Sequence, residues 1–203
     1  MVEMRLYVEG GGDAKALRTA CRRGFSEFLG KAGLKGHMPR IVACGGRRQA
    51  YDDFCTALKQ GRHAMLLVDS ETAVSFRSPW AHLREREGDG WPIPRDATED
   101  ACHLMVQCME SWFLTDRDTL SVFFGQGFNA GALPYSSRSV EHISKGEVFA
   151  GLAAATRECK TKASYRKGDH SFDLLARIDP AKVTAGSAWA ARLMQALKKS
   201  MGG

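Results

Sequence analysis

The fold is decided by the stretch H-A-M-L-L-V-D-S-E at residues 63–71. A short apolar run that is closed by acidic residues predicts a strand buried on both faces, as in a parallel sheet. We therefore predict a strand over His63–Val68. Asp69 and Glu71 follow it at the two-residue spacing that directs strand side chains to the same side. Two carboxylates are thus expected together at the carboxyl end of a central strand.

A second acidic cluster follows another predicted strand, Met4–Val8, near the start of the chain. Glu9 comes directly after this strand, and three glycines and Asp13 come next. Because the carboxyl ends of parallel strands meet at one edge of a sheet, we expect Glu9 to lie near Asp69 and Glu71. Carboxylates held this close repel one another unless a hard divalent cation lies between them, and Mg²⁺ and Mn²⁺ prefer oxygen ligands. The sequence therefore predicts a Mg²⁺ or Mn²⁺ site for one or two ions, with Asp13 as a further ligand.

Helices are predicted between the strands. The segment from Asp13 to about Leu29 has apolar residues at helical spacing, and Asp13 can cap this helix instead of binding a metal. The other predicted elements are a strand over Arg40–Cys44, a helix over Arg47 to about Gln60, a short helix around Pro79–Glu87, a strand over Cys102–Val106 and two short helices over Met109–Leu114 and Asp116–Phe124. This alternation predicts parallel strands joined by right-handed crossovers.

The composition changes after Gly125, where glycine, serine and asparagine become frequent. Three helices are predicted beyond this stretch, over Glu147–Cys159, about Asp169–Arg177 and Ser187–Ser200. We therefore predict an α/β protein with a Rossmann-like, mostly parallel sheet flanked by helices. Residues 1–125 are expected to form its core, and residues 126–203 a mainly helical extension packed on that core.

The bulk composition bounds the class of protein. The chain has 203 residues and no apolar run near the roughly 18 residues that a membrane-spanning helix needs. Its first residues lack the basic and apolar regions of a secretory signal, so we expect a cytoplasmic protein without a membrane partner. Six cysteines without a C-x-x-C pair predict reduced, buried thiols.

Basic residues predict a surface for phosphate groups. The net charge is +6, and an acidic middle segment, residues 64–120, lies between two basic segments. This pattern suits a metal site beside a surface that binds nucleic acid, and a solvated basic surface without a partner fits it as well. Tyr165 lies between Lys162 and Arg166 in the sequence, and an aromatic side chain among basic residues could stack on a nucleic-acid base. The candidate nucleic-acid contacts are Arg47, Arg48, Lys162, Arg166 and Lys167.

Glu110 stands in the apolar stretch M-E-S-W-F-L at residues 109–114. A carboxylate in such surroundings needs a partner when it is buried. Either Glu110 is a third or fourth ligand of the metal, or it pairs with a basic residue. The sequence leaves both roles open.

The two acidic motifs resemble those of the TOPRIM fold, which occurs in topoisomerases, primases, small repair proteins and the overcoming-lysogenization-defect nucleases. The matching residues are V-E-G-G-G-D at 8–13 and V-D-S-E at 68–71. Segments 103–116 and 162–167 are similar to a bacterial family of uncharacterised TOPRIM-like proteins, several of which accompany an ATPase in phage-defence loci. The resemblance spans nearly the whole chain.

The resemblance implies a Mg²⁺- or Mn²⁺-dependent nuclease that acts on DNA or RNA in anti-phage defence, with an ATPase as a partner. Glu9, Asp69 and Glu71 would be its catalytic residues. The second TOPRIM motif is usually Asp-x-Asp, whereas here Glu71 takes the last position with a longer side chain. This departure favours the alternative, a non-catalytic TOPRIM-like subunit that binds an ATPase or nucleic acid.

Overall fold

A four-stranded parallel sheet forms the centre of the fold in the computed structural model, which describes residues 3–201. The first two residues of the predicted range 1–125 and the last two of the range 126–203 lie outside the described residues. The strands are β1 (Arg5–Val8), β2 (Arg40–Ala43), β3 (Ala64–Asp69) and β4 (Cys102–Met105). They are arranged in the order β2-β1-β3-β4, and every pairing is parallel. The predicted Rossmann-like α/β class is confirmed.

Helices cover both faces of the sheet because successive strand side chains point to opposite sides. The two helices between the first three strands are α1 (Lys15–Leu29) and α2 (Arg47–Lys59). On one face, Phe25 of α1 and Leu67 of β3 belong to the same buried apolar cluster. On the other face, Phe54 of α2 belongs to a cluster with Leu66. The apolar run that predicted β3 is thus buried along its whole length.

The chain order creates a switch point between β1 and β3. After β1 the chain crosses to β2 on one side, and after β2 it returns to β3 on the other side of β1. The connections therefore diverge at the carboxyl ends of β1 and β3, where open α/β sheets bind their ligands. Glu9 follows β1, and Asp69 is the last residue of β3.

The remaining helices are α3 (Pro79–Glu85), α4 (Arg117–Phe124), α5 (Lys145–Thr156), α6 (Lys167–Leu175), α7 (Pro180–Gly186) and α8 (Ala188–Met201). The prediction missed α7, although Asp179 is its N-cap and Pro180 its first residue, a combination typical of helix starts. The short helix predicted over Met109–Leu114 is present as a 3-10 helix, Met109–Thr115.

The helical C-terminal portion packs on the sheet and its helices. α6 lies along α1, and a Cβ added at Gly24 would lie only 2.8 Å from the carbonyl oxygen of Phe172. α8 packs on β4 at the edge of the sheet. The domain boundary at residue 125 stays a prediction. No helix within residues 3–201 has both the length and the apolar character needed to cross a membrane.

Candidate metal centre

Three carboxylates converge at the switch point of the sheet. One carboxylate oxygen from each of Glu9, Asp69 and Glu71 lies within 4.8 Å of the others. The backbone N–H of Asp69 donates to Glu9 Oε2 at 3.1 Å, which ties the ends of β1 and β3 together. Glu71 lies in the following turn with a φ of +67°. Oxygens bound to one divalent cation lie about 2.0–2.6 Å from it, so this cluster could bind a metal ion.

Asp69 is the most buried member of the cluster, with 3% of its surface exposed. Its Oδ1 accepts a hydrogen bond from the backbone N–H of Met109 at 2.9 Å, which fixes the orientation of the carboxylate. Burial raises the pKa of Asp69 well above its ordinary value, and the neighbouring Glu9 and Glu110 raise it further. The ionised form of Asp69 therefore requires a nearby positive charge.

Glu9 has a raised pKa as well. Burial is the main cause, and it outweighs the nearby charge of Arg47 and the hydrogen bond from the Asp69 backbone, which both lower the pKa. Two carboxylates of the cluster thus resist ionisation in the absence of an added cation. A divalent cation bound between them would reverse this penalty.

Lys145, the first residue of α5, supplies positive charge from the helical portion. Its Nζ lies 2.7 Å from both carboxylate oxygens of Glu71 and 3.7 Å from Asp69 Oδ2. Burial alone would lower the pKa of Lys145, but Glu71 and Asp69 outweigh it and raise the pKa. Sequence reasoning missed this residue. The capping box between Ser144 and Glu147 signals a helix start there, but not that the helix faces the cluster.

Arg47 contacts the carboxylates of Glu9 and Asp89. The sequence had predicted instead that it would bind the phosphates of nucleic acid. Its Nε and Nη2 pair with the two carboxylate oxygens of Asp89 at 3.0 and 2.5 Å. Its Nη1 donates to the backbone carbonyl of Asp69 at 2.6 Å and lies 3.4 Å from Glu9 Oε2. Its guanidinium also lies 5.0 Å from the ring centroid of Trp91. These contacts engage the whole guanidinium group, so Arg47 positions Glu9 and the loop that carries Asp89.

Glu110 is fully buried next to the cluster but is not one of its three grouped ligands. Its Oε1 accepts hydrogen bonds from Tyr165 Oη at 3.2 Å and Ser171 Oγ at 3.3 Å. Within the described residues its Oε2 has no hydrogen-bond partner. Lys167 Nζ lies 4.0 Å from both Glu110 Oε1 and Asp69 Oδ2. Glu110 therefore lies within ion-pair distance of Lys167. Its Oε2 has no hydrogen-bond partner in the described residues, so this oxygen could still bind a metal ion.

Tyr165 does not offer its ring to a nucleic-acid base, which corrects the sequence prediction. The residue is 8% exposed, and its hydroxyl is engaged by Glu110 and Ser171. Burial raises the pKa of Tyr165, and the charge of Glu110 raises it further. Tyr165 thus supports Glu110 from within the core.

The structure does not bring Asp13 to the cluster. Its side chain is fully exposed and lies 3.7 Å from Arg18. It does not cap α1 either, because this helix begins at Lys15 after Ala14, which provides no side-chain hydrogen bond. Both roles considered for Asp13 are therefore absent from this conformation.

The remaining predicted phosphate contacts are dispersed. Arg48 forms an exposed ion pair with Asp52, one turn away on α2. Arg166 likewise pairs with the exposed Asp169. Lys162 lies over the ring of Phe123, and Lys167 alone of the late basic stretch lies at the carboxylate cluster.

A cleft of about 380 Å³ opens beside the carboxylates. One wall is formed by the turns after β1 and β2, where Gly10 of the first and Gly45 of the second exchange backbone hydrogen bonds of 2.8 and 2.9 Å. Gly45 has a φ of +82°, and a Cβ there would lie 2.7 Å from the Gly12 carbonyl oxygen, so the turn requires glycine. The other lining residues are Glu9, Gly11, Leu17, Asp69, Met109, Lys167, Gly168 and Phe172. Two of the three carboxylates, Glu9 and Asp69, thus line a partly apolar cleft.

Comparison with known families places this site within one matched region. Residues 8–198 match the family model described as a domain of unknown function, DUF4276. The chain belongs to this family. No curated protein and no solved structure shows significant similarity to the chain. The DUF4276 match covers Glu9, Asp69 and Glu71 together with Lys145 and Lys167, so the family region contains the complete cluster.

Proposed function

We propose that this protein is a Mg²⁺- or Mn²⁺-dependent phosphodiesterase that cleaves nucleic acid in the cytoplasm. The observation that carries the proposal is the convergence of Glu9, Asp69 and Glu71 at the switch point, beside an open cleft. A role in anti-phage defence with an ATPase partner is the biological setting that the TOPRIM resemblance suggests. That setting is part of the proposal and rests on the resemblance alone.

The donor set fits a hard divalent cation. All three grouped ligands are carboxylates, and no cysteine or histidine joins them in the described part of the chain. Such oxygen-only sets suit Mg²⁺ and Mn²⁺ rather than softer metals. A bound ion would polarise the substrate phosphate and lower the pKa of the attacking water.

The protein's own groups would position the substrate. The N–H of Met109 holds the carboxylate of Asp69, and Arg47 holds that of Glu9. Lys167 lines the cleft with its side chain 55% exposed, so its ammonium can pair with a phosphate oxygen. The apolar side chains of Leu17 and Phe172 in the same cleft offer a surface for the sugar or base.

A second candidate function is a non-catalytic module that binds an ATPase or nucleic acid. The contact between Lys145 and Glu71 favours it, because this ammonium already compensates one carboxylate without a metal. Arg47 lies near the carboxylate of Glu9, and Lys167 lies near that of Asp69. A cluster neutralised by basic side chains can serve as structural support at the sheet edge.

Cleavage assays test the first proposal. Parent protein, Glu9→Gln and Asp69→Asn would be incubated with single- and double-stranded DNA and RNA in Mg²⁺, Mn²⁺ or chelator. Asp13→Asn is the matched control, since it removes a nearby carboxylate that the structure places outside the cluster. We expect metal-dependent cleavage by the parent and the control, and a loss of more than about 100-fold in the two cluster variants, beyond what outer-shell partners usually cost.

Calorimetric titration with Mn²⁺ separates the two candidates. Uptake by the parent that is lost in Glu9→Gln and Asp69→Asn supports the enzyme. Absence of uptake supports the non-catalytic module. Equal cleavage by the parent and both cluster variants would refute the assignment of the active site.

A further inference from the structure

A second cleft, which shares no lining residue with the cleft at the carboxylates, contains basic side chains around one aromatic ring. We call it the Phe123 cleft; it measures about 550 Å³ and is lined by Lys31, Asp118, Thr119, Val122, Phe123, Lys162, Ala176 and Arg177. Lys162 Nζ lies 4.4 Å from the ring centroid of Phe123, and the Arg177 guanidinium carbon lies 5.5 Å from it. Two cations thus lie over one ring. A third, Lys31, also lines the cleft, and its Nζ donates a hydrogen bond to the backbone carbonyl of Ile178 at 2.6 Å.

Within the described residues, the three basic side chains of the Phe123 cleft, Lys31, Lys162 and Arg177, form no direct ion pair within 4.0 Å with a carboxylate. The single acidic residue in the lining, Asp118, is engaged by Lys182 at 2.9 Å. Burial lowers the pKa of Lys31 despite the acidic residues Asp179, Asp116 and Glu27 nearby. Three like charges around one concavity repel each other, and a bound anion would relieve that repulsion.

The Phe123 cleft and the cleft at the carboxylates lie along the same helix. Gly168 and Phe172 of α6 line the first cleft, and Ala176, one turn further, lines the second. Residues at this four-residue spacing share one face of a helix. α6 spans about 12 Å from Lys167 to Leu175 at 1.5 Å per residue, and Arg177 lies two residues beyond its end. One strand of duplex DNA advances about 3.4 Å per nucleotide, so the length of α6 corresponds to about four nucleotides.

We propose that the Phe123 cleft is a second phosphate-binding site, which holds the nucleic-acid backbone a few nucleotides from the carboxylate cluster. The choice of nucleic acid as the source of the phosphate rests on the proposed function. Lys162 and Arg177 neutralise the phosphate, and Phe123 keeps both side chains directed into the cleft. Val122, which is 85% exposed at the rim, offers an apolar contact to the adjoining sugar.

Binding measured without divalent ions tests this inference separately from cleavage. The affinity for a short duplex DNA and for the matching single strand would be followed by fluorescence anisotropy in chelator over a range of salt concentrations. For Lys162→Gln/Arg177→Gln we expect duplex affinity to fall on the order of tenfold. The slope of log K against log salt should flatten by about 1.8, since each phosphate contact contributes about 0.9.

The matched control is Lys59→Gln/Arg62→Gln, which removes the same two charge types from exposed positions outside both clefts. The charge-preserving pair Lys162→Arg/Arg177→Lys should keep the affinity and shows that the region remains folded. An equal loss in the Lys59/Arg62 control, or no DNA binding by the parent, overturns the proposal.

Inorganic tripolyphosphate distinguishes the two sources of phosphate. If Lys162→Gln/Arg177→Gln loses tripolyphosphate binding but keeps its affinity for DNA, the cleft serves a soluble polyphosphate, and the nucleic-acid assignment is wrong. A protein that binds DNA through this pair yet cleaves nothing contradicts only the proposed function. A protein that cleaves DNA with no dependence on the pair contradicts only this inference.

Discussion

Lys145 donates hydrogen bonds to both carboxylate oxygens of Glu71, each at 2.7 Å, across 74 residues of sequence. The lysine begins a helix of the C-terminal portion, whereas the glutamate follows a central strand. This contact joins the helical C-terminal portion to the sheet at the carboxylate cluster. It also places an ammonium where it would compete with a bound divalent ion for Glu71 and for Asp69, whose Oδ2 is 3.7 Å away.

Replacing Lys145 with methionine should strengthen metal binding and weaken the metal-free fold. Loss of the competing charge should lower the Kd for Mn²⁺ by about tenfold or more, equivalent to about 1.4 kcal/mol. Without divalent ions, Glu71 loses a charged hydrogen bond, and the free energy of unfolding should fall by about 1–3 kcal/mol. Calorimetry and thermal unfolding in chelator measure the two effects. Lys145→Arg, which keeps the charge, is the control; an unchanged Mn²⁺ affinity in Lys145→Met would count against competition.

Asp69→Asn should not destabilise the metal-free protein at pH 7. A carboxyl whose pKa is higher in the folded than in the unfolded state favours folding when protonated, and that contribution is lost as the pH rises through the folded pKa. The pKa of Asp69 is raised by burial and by Glu9, so its ionised form is costly near neutral pH. Asparagine removes this charge and can still accept the hydrogen bond from Met109.

We therefore expect the Asp69→Asn variant to melt a few degrees above the parent in chelator at pH 7, since about 1 kcal/mol shifts Tm by 2–4 °C at this size. The difference should shrink as the pH falls towards about 4, the ordinary pKa of aspartate. Mn²⁺ should stabilise the parent and not the variant. Thermal unfolding between these pH values provides the measurement, with Asp13→Asn as control. A variant that melts below the parent at pH 7 would contradict the argument.

Arg47→Met should destabilise the protein through Asp89. The side chain of Asp89 is 2% exposed and receives two hydrogen bonds from Arg47, so removal of this partner leaves a buried carboxylate with only Arg86 at 3.1 Å. We expect a loss of about 2–4 kcal/mol in the free energy of unfolding. Adding Asp89→Asn should recover part of it. Denaturant unfolding of the four proteins in this cycle gives the coupling energy, and strict additivity would show that the pair does not interact.

Asp116 should stabilise the fold at neutral pH, and this contribution should decline as the pH falls below about 4, the ordinary pKa of aspartate. Burial raises its pKa, but hydrogen bonds from Lys182, Thr119 and the Asp179 backbone outweigh burial and lower the pKa. A carboxyl with a lowered folded pKa contributes stability above its unfolded pKa, about 4, and loses it as the pH falls through the folded pKa. Asp116→Ala should therefore cost about 2 kcal/mol at pH 7, with the gap closing under acid conditions. The control is Asp118→Asn, because Asp118 is an exposed partner of the same Lys182 and its replacement should have little effect. Urea unfolding at pH 7 and pH 3 measures the difference in the free energy of unfolding.

Some secondary-structure elements could be predicted from sequence patterns, and others could not. The strong periodicity of α1 and the apolar run of β3 identified these elements, because burial of one face or of both faces leaves a direct trace in the sequence. α7 was missed although Asp179 and Pro180 mark its start, since its seven residues are too short to show a period. Asp13 shows the opposite failure: its residue type favours caps and metal sites, but its side chain is exposed here and α1 begins two residues later.

The four strands and the acidic edge of the sheet could be predicted from the amino-acid sequence. Strand character depends on local apolar runs, and parallel strands necessarily bring the residues after them to one edge, so Glu9 and Asp69 could be placed together from their positions alone. The groups that face those carboxylates depend on how the helices pack, which the sequence pattern does not reveal. Lys145, Lys167 and Tyr165 come from helices and loops whose packing depends on many weak apolar contacts distributed over the chain. The same packing pairs Arg47 with Asp89 and places Lys162 over the ring of Phe123. Neither contact could be predicted, because the residues that orient these charged side chains are distant in sequence.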